Sequence, residues 1–247
     1  MTTFILGKSI PFLMKAVILA AGTGRRLLPL TEKIPKTMLP VGNRSILSYQ
    51  LEALNKYIPR NNICIVTGHG SKNIEVFAKG CSIVFNKKFA ESNNIYSLAL
   101  VRDIIDEPFI LLNSDVLFDS KILEDLITTP FDDAIMVDDV KQLADEEMKV
   151  VLENQMLVAI NKTMDPSKAS GEYIGLAKFS KKGAEVLFNK IQRILSEGRY
   201  NEWYEKGMEE ACEEVSIYGI STDGLPWIEI DDHEDLAKAW DIAKMIV

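Results

Sequence analysis

The sequence predicts an α/β protein with a doubly wound sheet of mostly parallel strands and helices on both faces. Short apolar runs, typical of strands buried on both faces, occur at residues 17–20, 62–67 and 109–112. Segments with the helical spacing of apolar residues lie between these runs, as after Ser45 and over residues 94–103. Strands that alternate with helices favour a parallel sheet with right-handed crossovers. The predicted fold is therefore Rossmann-like.

The same criteria assign the remaining elements in chain order. The predicted strands lie at residues 17–20, 62–67, 81–85, 109–112, 134–138, 149–152, 157–161, 173–179, 215–220 and 227–231. The predicted helices begin at Ser45 and then cover residues 73–79, 94–103, 184–195 and 234–246. The runs at 134–161 predict an extension of the sheet that carries a hairpin, so the sheet is expected to be mixed.

Composition limits the class of protein. The chain has 247 residues, 47% hydrophobic and 26% charged, which is typical of a globular protein. We find no linker or repeat and expect one domain over residues 14–247, with residues 1–13 as an N-terminal extension that lacks the basic start of a signal peptide. Monomer and homo-oligomer both remain open.

Net charge and the cysteine pattern limit the possible binding partners and the cellular compartment. The net charge of −8 opposes binding to nucleic acid or to an anionic membrane, so an anion site must be a local basic pocket. No apolar segment is long enough to predict membrane insertion. The three cysteines form no CxxC pair and are expected to be buried thiols in a reducing compartment, so we expect a cytoplasmic protein.

The first predicted strand runs into a segment suited to phosphate. Small residues let backbone N–H groups approach phosphate oxygens, and guanidinium groups match those oxygens in pairs. Lys36, after Pro35, adds a further cation. A Gly-x-Gly turn alone is a weak signal, since many turns contain one. The whole string predicts a nucleotide phosphate site formed by Leu19, Ala20, Ala21, Gly22, Thr23, Gly24, Arg25 and Arg26.

Two aspartates are expected at the ligand-binding edge of the sheet. Asp115 closely follows the run at 109–112, and Asp231 ends the run at 227–231. Ligands in such sheets bind at the carboxyl ends of the strands, and Mg²⁺ is commonly held by one or two carboxylates together with substrate phosphates. The alternative is that these residues cap helices, since Asp231 or Asp232 would be a good N-cap.

Four segments resemble one enzyme family. LAAGTGRR at residues 19–26 with the later PK pair resembles the LAAGxGxR signature of sugar-phosphate nucleotidyltransferases, with Arg25 where the family usually has Ser or Thr. The other three are NNIYSLALVRD, SGEYIGLAKFS and PWIEIDDHEDLAKA, beginning at residues 93, 170 and 226. They resemble most the phosphocholine, aminoethylphosphonate and inositol-1-phosphate cytidylyltransferases.

The resemblance implies a GT-A-like nucleotidyltransferase fold and a set of roles. Arg26, Lys36 and Asp115 would be catalytic, and Asp115 and Asp231 would bind Mg²⁺, with Glu229 as an acidic neighbour. Asn94, Ser97 and Asn113 would join the nucleotide site, although Asn93, Asn94 and Ser97 could equally form a helix N-cap. Lys162, Glu172 and Tyr173 would bind the acceptor.

The implied reaction transfers a nucleoside monophosphate to a small phosphorylated alcohol and releases pyrophosphate. CTP is the favoured donor, and the product would be a phospholipid or cell-envelope precursor. Alternatives are a sugar-1-phosphate enzyme using UTP, TTP or GTP, and a non-catalytic nucleotide-binding module. A redox enzyme is disfavoured because no acidic residue ends the second strand. A choline acceptor would suit an aromatic cage of Trp203 and Tyr204 beside Glu202 and Glu205, although these aromatic residues could instead be core anchors.

Overall fold

A computed structural model describes residues 14–246 together with two short backbone segments, Phe4–Ile5 and Lys8–Ser9, which pair antiparallel. The rest of the predicted extension at residues 1–13 lies outside the described residues, as does residue 247. Within residues 14–246, none of the helices combines the length and the apolar character needed to cross a bilayer.

The strands are, in chain order, β1 (Phe4–Ile5), β2 (Lys8–Ser9), β3 (Lys15–Ala20), β4 (Pro40–Val41), β5 (Arg44–Ser45), β6 (Ile63–Thr67), β7 (Ser82–Phe85), β8 (Phe109–Asn113), β9 (Val116–Phe118), β10 (Ala134–Asp138), β11 (Lys149–Glu153), β12 (Met156–Asn161), β13 (Gly171–Phe179), β14 (Tyr218–Ser221) and β15 (Trp227–Glu229). The α-helices are α1 (Ile46–Asn55), α2 (Ser71–Phe77), α3 (Asn94–Ala99), α4 (Ser120–Thr128), α5 (Lys181–Ser196), α6 (Glu205–Ala211) and α7 (His233–Met245). Short 3-10 turns lie at Arg25–Leu27, Lys36–Met38, Arg60–Asn62 and Pro166–Lys168.

The described residues form a nine-stranded mixed sheet with the order β10-β14-β12-β11-β13-β8-β3-β6-β7. Strand β3 lies between β6 and β8 and is parallel to both, and β7 is parallel to β6. Beyond β8, strand β13 pairs antiparallel with β8, β10 and β11. The Rossmann-like fold class is confirmed and the sheet is mixed: parallel pairing joins β8, β3, β6 and β7 and recurs between β10 and β14, while the other pairings of the described strands in this sheet are antiparallel.

Alternating residues of β3 enter two cores on opposite faces of the sheet. Val17 and Leu19 pack on the face covered by α3, α5 and α6. Ala16 and Ile18 pack on the face covered by α1, α2 and α4. A third, smaller cluster packs α7 against the segment after the glycine-rich loop, through Ala239 and Leu27 among others. Helix α7 thereby fixes the end of the chain that carries Asp231.

The predicted elements are present with small shifts at their ends, with two exceptions. The predicted helix at 94–103 ends at Ala99, because the following residues form turns with i to i+3 hydrogen bonds such as Ile104 N to Val101 O. Strand β15 ends at Glu229, so Asp231 lies in the loop after it. Strands β4, β5 and β9 and helices α4 and α6 were not predicted; Asp119 caps α4, its side chain accepting from Lys121 N at 2.8 Å.

Candidate active site

The glycine-rich loop folds back on itself after β3. Gly24 has a φ of 63°, and a Cβ there would lie 2.9 Å from Cγ2 of Thr31, so glycine is required both for the turn and for the close contact. The hydroxyl of Thr31 donates to the carbonyl of Gly24 at 2.7 Å. This contact joins Gly24 to Thr31, and the side chains of Arg26 and Lys36 on either side of Thr31 both reach Asp231.

Both histidines of the chain brace this loop. His69 Nε2 lies 2.7 Å from the Thr31 carbonyl, and His233 Nε2 lies 2.9 Å from the Leu28 carbonyl. Because a carbonyl can only accept, each ring nitrogen must carry the hydrogen. The sequence offered no role for either histidine, since neither belongs to a recognisable catalytic or metal-binding spacing.

Pairing of β9 with β15 brings the acidic residues together. Glu229 lies opposite Val116 in this antiparallel pair, and Ile230 N donates to the Asp115 carbonyl at 3.0 Å. The carboxylates of Asp115, Glu229 and Asp231 each offer an oxygen within 4.8 Å of the others. Sequence alone could not show this convergence, because the two strands lie far apart in the chain.

The residue that caps helix α7 is not Asp231 but its neighbour in the chain. Asp232 is the N-cap of α7 and forms a capping box with Asp235. Its Oδ1 accepts from Glu234 N at 2.8 Å and from Asp235 N at 3.0 Å. Asp231 is therefore free to face the glycine-rich loop.

Two cations from the loop bind these carboxylates. Lys36 Nζ lies 2.7 Å from Asp115 Oδ2 and 2.8 Å from Asp231 Oδ1, and Arg26 also pairs with Asp231. Burial opposes the charge of Lys36, but the two aspartates outweigh it and raise its pKa. Burial likewise opposes the charge of Asp231, but Lys36 and Arg26 outweigh it and lower the pKa of this carboxyl. The site therefore balances positive and negative charge within one cluster.

The residues present fit a hard divalent cation. Asp115 Oδ1 is buried and has no hydrogen-bond partner among the described residues. Burial, together with the charges of Asp115 and Asp231, raises the pKa of Glu229 to about 8. An orphaned buried oxygen beside two further carboxyl groups is the oxygen-rich set that Mg²⁺ prefers.

A cavity of about 320 Å³ runs from this cluster along the carboxyl edge of the sheet. Most of the predicted site residues line it, namely Leu19, Ala20, Ala21, Gly22, Gly24, Arg26, Lys36, Asn94, Ser97, Asn113, Asp115, Lys162, Tyr173 and Asp231. Their roles remain predictions, since position alone does not test them.

Three predicted residues do not line this cavity. Thr23 lies in the glycine-rich loop beside it, and the side chain of Arg25 is exposed to solvent. Glu172 is buried and pairs with Lys141, whose Nζ lies 2.5 Å from Glu172 Oε2. It lines an adjoining cavity of about 610 Å³, which shares Lys162 and Asp231 with the first.

The start of α3 combines capping with a cavity wall. Asn93 caps the helix, with Oδ1 accepting from Asn94 N at 2.8 Å. Asn94 Oδ1 accepts from Tyr204 N at 2.8 Å, and Ser97 Oγ accepts from Asn86 at 3.0 Å. The N-cap alternative therefore holds for Asn93, while Asn94 and Ser97 are fixed at the cavity surface by partners elsewhere in the fold.

Of the four residues considered as a choline cage, Trp203 and Glu205 line the cavity. Tyr204 is fully buried, and its hydroxyl donates to Asn113 Oδ1 at 3.0 Å. Glu202 pairs with Arg199. Lys162 Nζ lies 5.4 Å from the centroid of the Trp203 ring, so a cation and an aromatic ring already meet at this wall.

The family model for nucleotidyl transferases matches residues 15–137, which contain the glycine-rich loop, Lys36 and Asp115. The chain belongs to the nucleotidyl transferase family. It is 29% identical over 234 residues to the choline-phosphate cytidylyltransferase of Streptococcus pneumoniae, covering 94% of this chain and 99% of that protein. The predicted family and its cytidylyltransferase subgroup are confirmed, and the chain is an enzyme of nucleotidyl transfer.

Two other relatives are longer than this chain. It is 27% identical over 233 residues to the bifunctional protein GlmU of Methanococcus aeolicus, covering 93% of this chain and 53% of that protein. It is 28% identical over 229 residues to the bifunctional IPC transferase and DIPP synthase of Aquifex aeolicus, covering 91% and 50%. The chain thus spans about half the length of these bifunctional relatives.

Solved structures agree with the fold. The CTP:phosphocholine cytidylyltransferase of Streptococcus pneumoniae superposes with a TM-score of 0.79 at 25% identity, covering 94% of this chain and 100% of that chain. A glucose-1-phosphate thymidylyltransferase of Bacillus anthracis reaches the same TM-score, 0.79, at 19% identity, covering 95% and 96%. The second likeness concerns the fold alone.

Proposed function

We propose that this enzyme transfers CMP from CTP to the phosphate of a small phosphorylated alcohol and releases pyrophosphate. The observation that carries the proposal is the ammonium of Lys36 between Asp115 and Asp231, at the mouth of the glycine-rich loop. Binding a triphosphate and a metal ion requires this combination of cations, small residues and carboxylates. The choice of CTP rests on the cytidylyltransferases among the relatives.

The nucleotide half of the proposed site consists of the loop and its two cations. Backbone N–H groups at Ala21 and Gly22 can approach phosphate oxygens, because these residues are small and line the cavity. Arg26 would bind the β- and γ-phosphates, and Lys36 would balance charge near the α-phosphate. The exposed side chain of Arg25 would have to turn inward to assist. Asn94, Ser97 and Asn113 form the wall assigned to the nucleoside.

Asp115 and Asp231, with Glu229 beside them, are the residues that would hold Mg²⁺. When bound, Mg²⁺ neutralises the charge that develops on the phosphate oxygens. Lys36 and Arg26 would then exchange their carboxylate partners for phosphate oxygens. After this exchange the phosphate oxygens would pair with both cations, so the largely buried Lys36 would not be left without a partner.

The acceptor half of the proposed site begins at Lys162, which would hold the acceptor phosphate. An ionised phosphate monoester needs no base to attack the α-phosphorus, so the protein contributes positioning and charge neutralisation. Beyond Lys162, the ring of Trp203 and the buried carboxyl of Glu205 line the same cavity. A ring face and a carboxyl group suit a cationic head group such as choline. Hydroxyl groups of a polyol such as inositol could bond to Glu205 and Asn113 instead.

A second candidate reaction is transfer from UTP, TTP or GTP to a sugar 1-phosphate, which is the alternative that the sequence motifs leave open. The free cysteines Cys64, Cys81 and Cys212 and the use of nucleoside triphosphates support a cytoplasmic location as part of this proposal.

Pyrophosphate release tests the donor and the acceptor together. Purified protein with Mg²⁺ is incubated with each of the four triphosphates, and each is paired with phosphocholine, inositol 1-phosphate, 2-aminoethylphosphonate or glucose 1-phosphate. We expect release only with CTP and one of the first three acceptors. Release with UTP, TTP or GTP and glucose 1-phosphate would favour the second candidate, and absence of release in every pairing would contradict both.

A further inference from the structure

The turn that carries Asp115 lies between two different sheets. Strand β8 belongs to the nine-stranded sheet and ends at Asn113, while β9 begins at Val116 and pairs only with β15 among the described residues. Ser114 and Asp115 form the two-residue turn between them. A turn between sheets lacks the ladder of hydrogen bonds that fixes a strand, so other groups must hold its geometry.

Helix α1 supplies a polar side chain to this turn from an otherwise apolar face. The buried residues of α1 are Ile46, Leu47, Gln50, Leu51, Ala53 and Leu54. Gln50 is 1% exposed, and burial of an amide costs free energy unless its hydrogen bonds are made. Its presence in the core therefore calls for partners, and its nitrogen finds them, whereas Oε1 has none among the described residues.

The side-chain nitrogen of Gln50 bonds to both ends of the turn. Nε2 donates to the Asn113 carbonyl at 2.8 Å and to the Val116 carbonyl at 2.9 Å. An amide nitrogen has two hydrogens, and both are used here. If the side-chain amide of Gln50 were flipped, Oε1 would face two carbonyl oxygens and no hydrogen bond could form. The orientation of the amide is therefore fixed by the need for a donor at this position.

The turn is held from the opposite side as well. Ile230 N donates to the carbonyl of Asp115 at 3.0 Å. The carbonyls of Asn113, Asp115 and Val116 are therefore all bonded, two to Gln50 and one to the β15 segment. With its main chain fixed in this way, the Asp115 side chain presents Oδ2 to Lys36 at 2.7 Å, and its buried Oδ1 has no hydrogen-bond partner within the described part of the chain.

We infer that Gln50 is a positioning residue that sets the place of the Asp115 carboxylate for metal binding and catalysis. It does so by tying together the two carbonyls that flank the Ser114–Asp115 turn. Gln50 does not line the cavity and does not touch substrate. The inference rests on the proposed function, because it takes Asp115 as a metal-binding carboxylate.

Gln50→Met tests this role, since methionine keeps the length and bulk of the side chain but cannot donate. We expect the variant to fold, to bind Mn²⁺ alone about 10- to 100-fold more weakly and to lose kcat by a similar factor, as is typical when a residue that supports a metal ligand is removed. Mn²⁺ affinity is measured by electron paramagnetic resonance with the protein and the ion only, up to millimolar Mn²⁺. Turnover is measured by pyrophosphate release.

Leu54→Ala is the matched control. Leu54 lies one helical turn from Gln50 on the same buried face, is 0% exposed and makes no bond to the turn. We expect this variant to lower the unfolding midpoint in urea at least as much as Gln50→Met does, but to keep wild-type Mn²⁺ affinity and kcat. Gln50→Glu is a second variant of the original shape, and its protonated carboxyl can donate at most one bond, so we expect an intermediate loss.

Wild-type Mn²⁺ affinity and kcat in folded Gln50→Met would overturn the inference. Equal losses in Leu54→Ala would do the same, since the effect would then follow stability, and so would absence of Mn²⁺ binding in the wild-type protein. If Gln50→Met does not fold, the comparison of Gln50→Glu with Leu54→Ala decides by the same criteria. If no acceptor supports pyrophosphate release in the wild-type protein but Mn²⁺ affinity falls in the Gln50 variants, the proposed function fails and the positioning role stands.

Discussion

The ammonium group of Lys36 lies 2.7 Å from Oδ2 of Asp115. A cation from the glycine-rich loop therefore pairs with a carboxylate that we propose as a metal ligand. Asp231 Oδ1 lies 2.8 Å from the same nitrogen. A divalent cation and this ammonium compete for the same oxygens. The free protein therefore carries an internal counter-ion at the proposed metal site, which competes with a divalent cation and which phosphate oxygens would draw away when a nucleotide binds.

Replacing Lys36 separates its two effects. We expect Lys36→Met to lower kcat by about 10³-fold or more, because a positioned charge at a reacting phosphate is lost. We also expect it to strengthen Mn²⁺ binding to the free protein, because the competing ammonium is gone. Lys33→Met, an exposed position on the same segment, is the control for both measurements. Wild-type turnover in Lys36→Met, or weaker Mn²⁺ binding, would contradict this account.

Substitutions of two neighbouring aspartates should separate a loss of turnover from a loss of folding stability. Asp232→Ala removes the cap of α7 and is expected to lower the free energy of unfolding by about 0.5–2 kcal/mol with turnover retained. Asp231→Ala is expected to abolish turnover, because Lys36 and Arg26 lose their shared partner and the proposed metal site loses one of its carboxylates. Urea unfolding and pyrophosphate release measure the two effects. If Asp231→Ala instead lowered the free energy of unfolding and kept turnover, Asp231 would have only a structural role.

Glu205 predicts a dependence of stability on pH. Burial raises the pKa of this carboxyl from 4.5 to about 7 in the folded protein. Between these pH values the unfolded chain loses the proton first, so the free energy of unfolding falls as pH rises, by about 3 kcal/mol in all for this one group. Glu205→Gln keeps the shape without the charge and should remove this part of the slope.

The measurement is urea unfolding of both proteins from pH 4.5 to 8. The difference between their free energies of unfolding should grow with pH in favour of Glu205→Gln and level off above about pH 7. Glu91→Gln at an exposed position should follow the wild-type curve. A difference that does not change with pH would show that Glu205 is ionised in the folded protein throughout this range.

Local sequence patterns predicted much of the fold and half of the site. The apolar run of β3, the small residues after it and the lysine after proline are contiguous, so their chemistry can be read directly. The ends of β8 and β15 also indicated that Asp115 and Asp231 lie at the ligand edge. Sequence could not decide whether Asp231 or Asp232 caps α7, because both precede the helix and only their side-chain directions differ.

The remaining site residues depend on contacts that no local pattern encodes. His69 and His233 brace carbonyls of the glycine-rich loop, and such bonds leave no spacing in the sequence. Glu172 forms an ion pair with Lys141 because loop 139–147 folds against β13. The pattern of strand residues does not show this contact. Gln50 is the exception, since a polar residue within the buried i, i+3, i+4 series of α1 was a visible signal that the core holds a polar contact.

The fate of labelled phosphorus distinguishes transfer of the nucleoside monophosphate from the other reactions of CTP. The protein is incubated with Mg²⁺, the acceptor that supports the fastest pyrophosphate release, and CTP labelled with ³²P at either the α- or the γ-phosphorus. We expect α-label to appear in a cytidine diphosphate ester of the acceptor and γ-label to appear only in pyrophosphate. Transfer of γ-label to the acceptor, or release of γ-label as inorganic phosphate, would contradict this expectation.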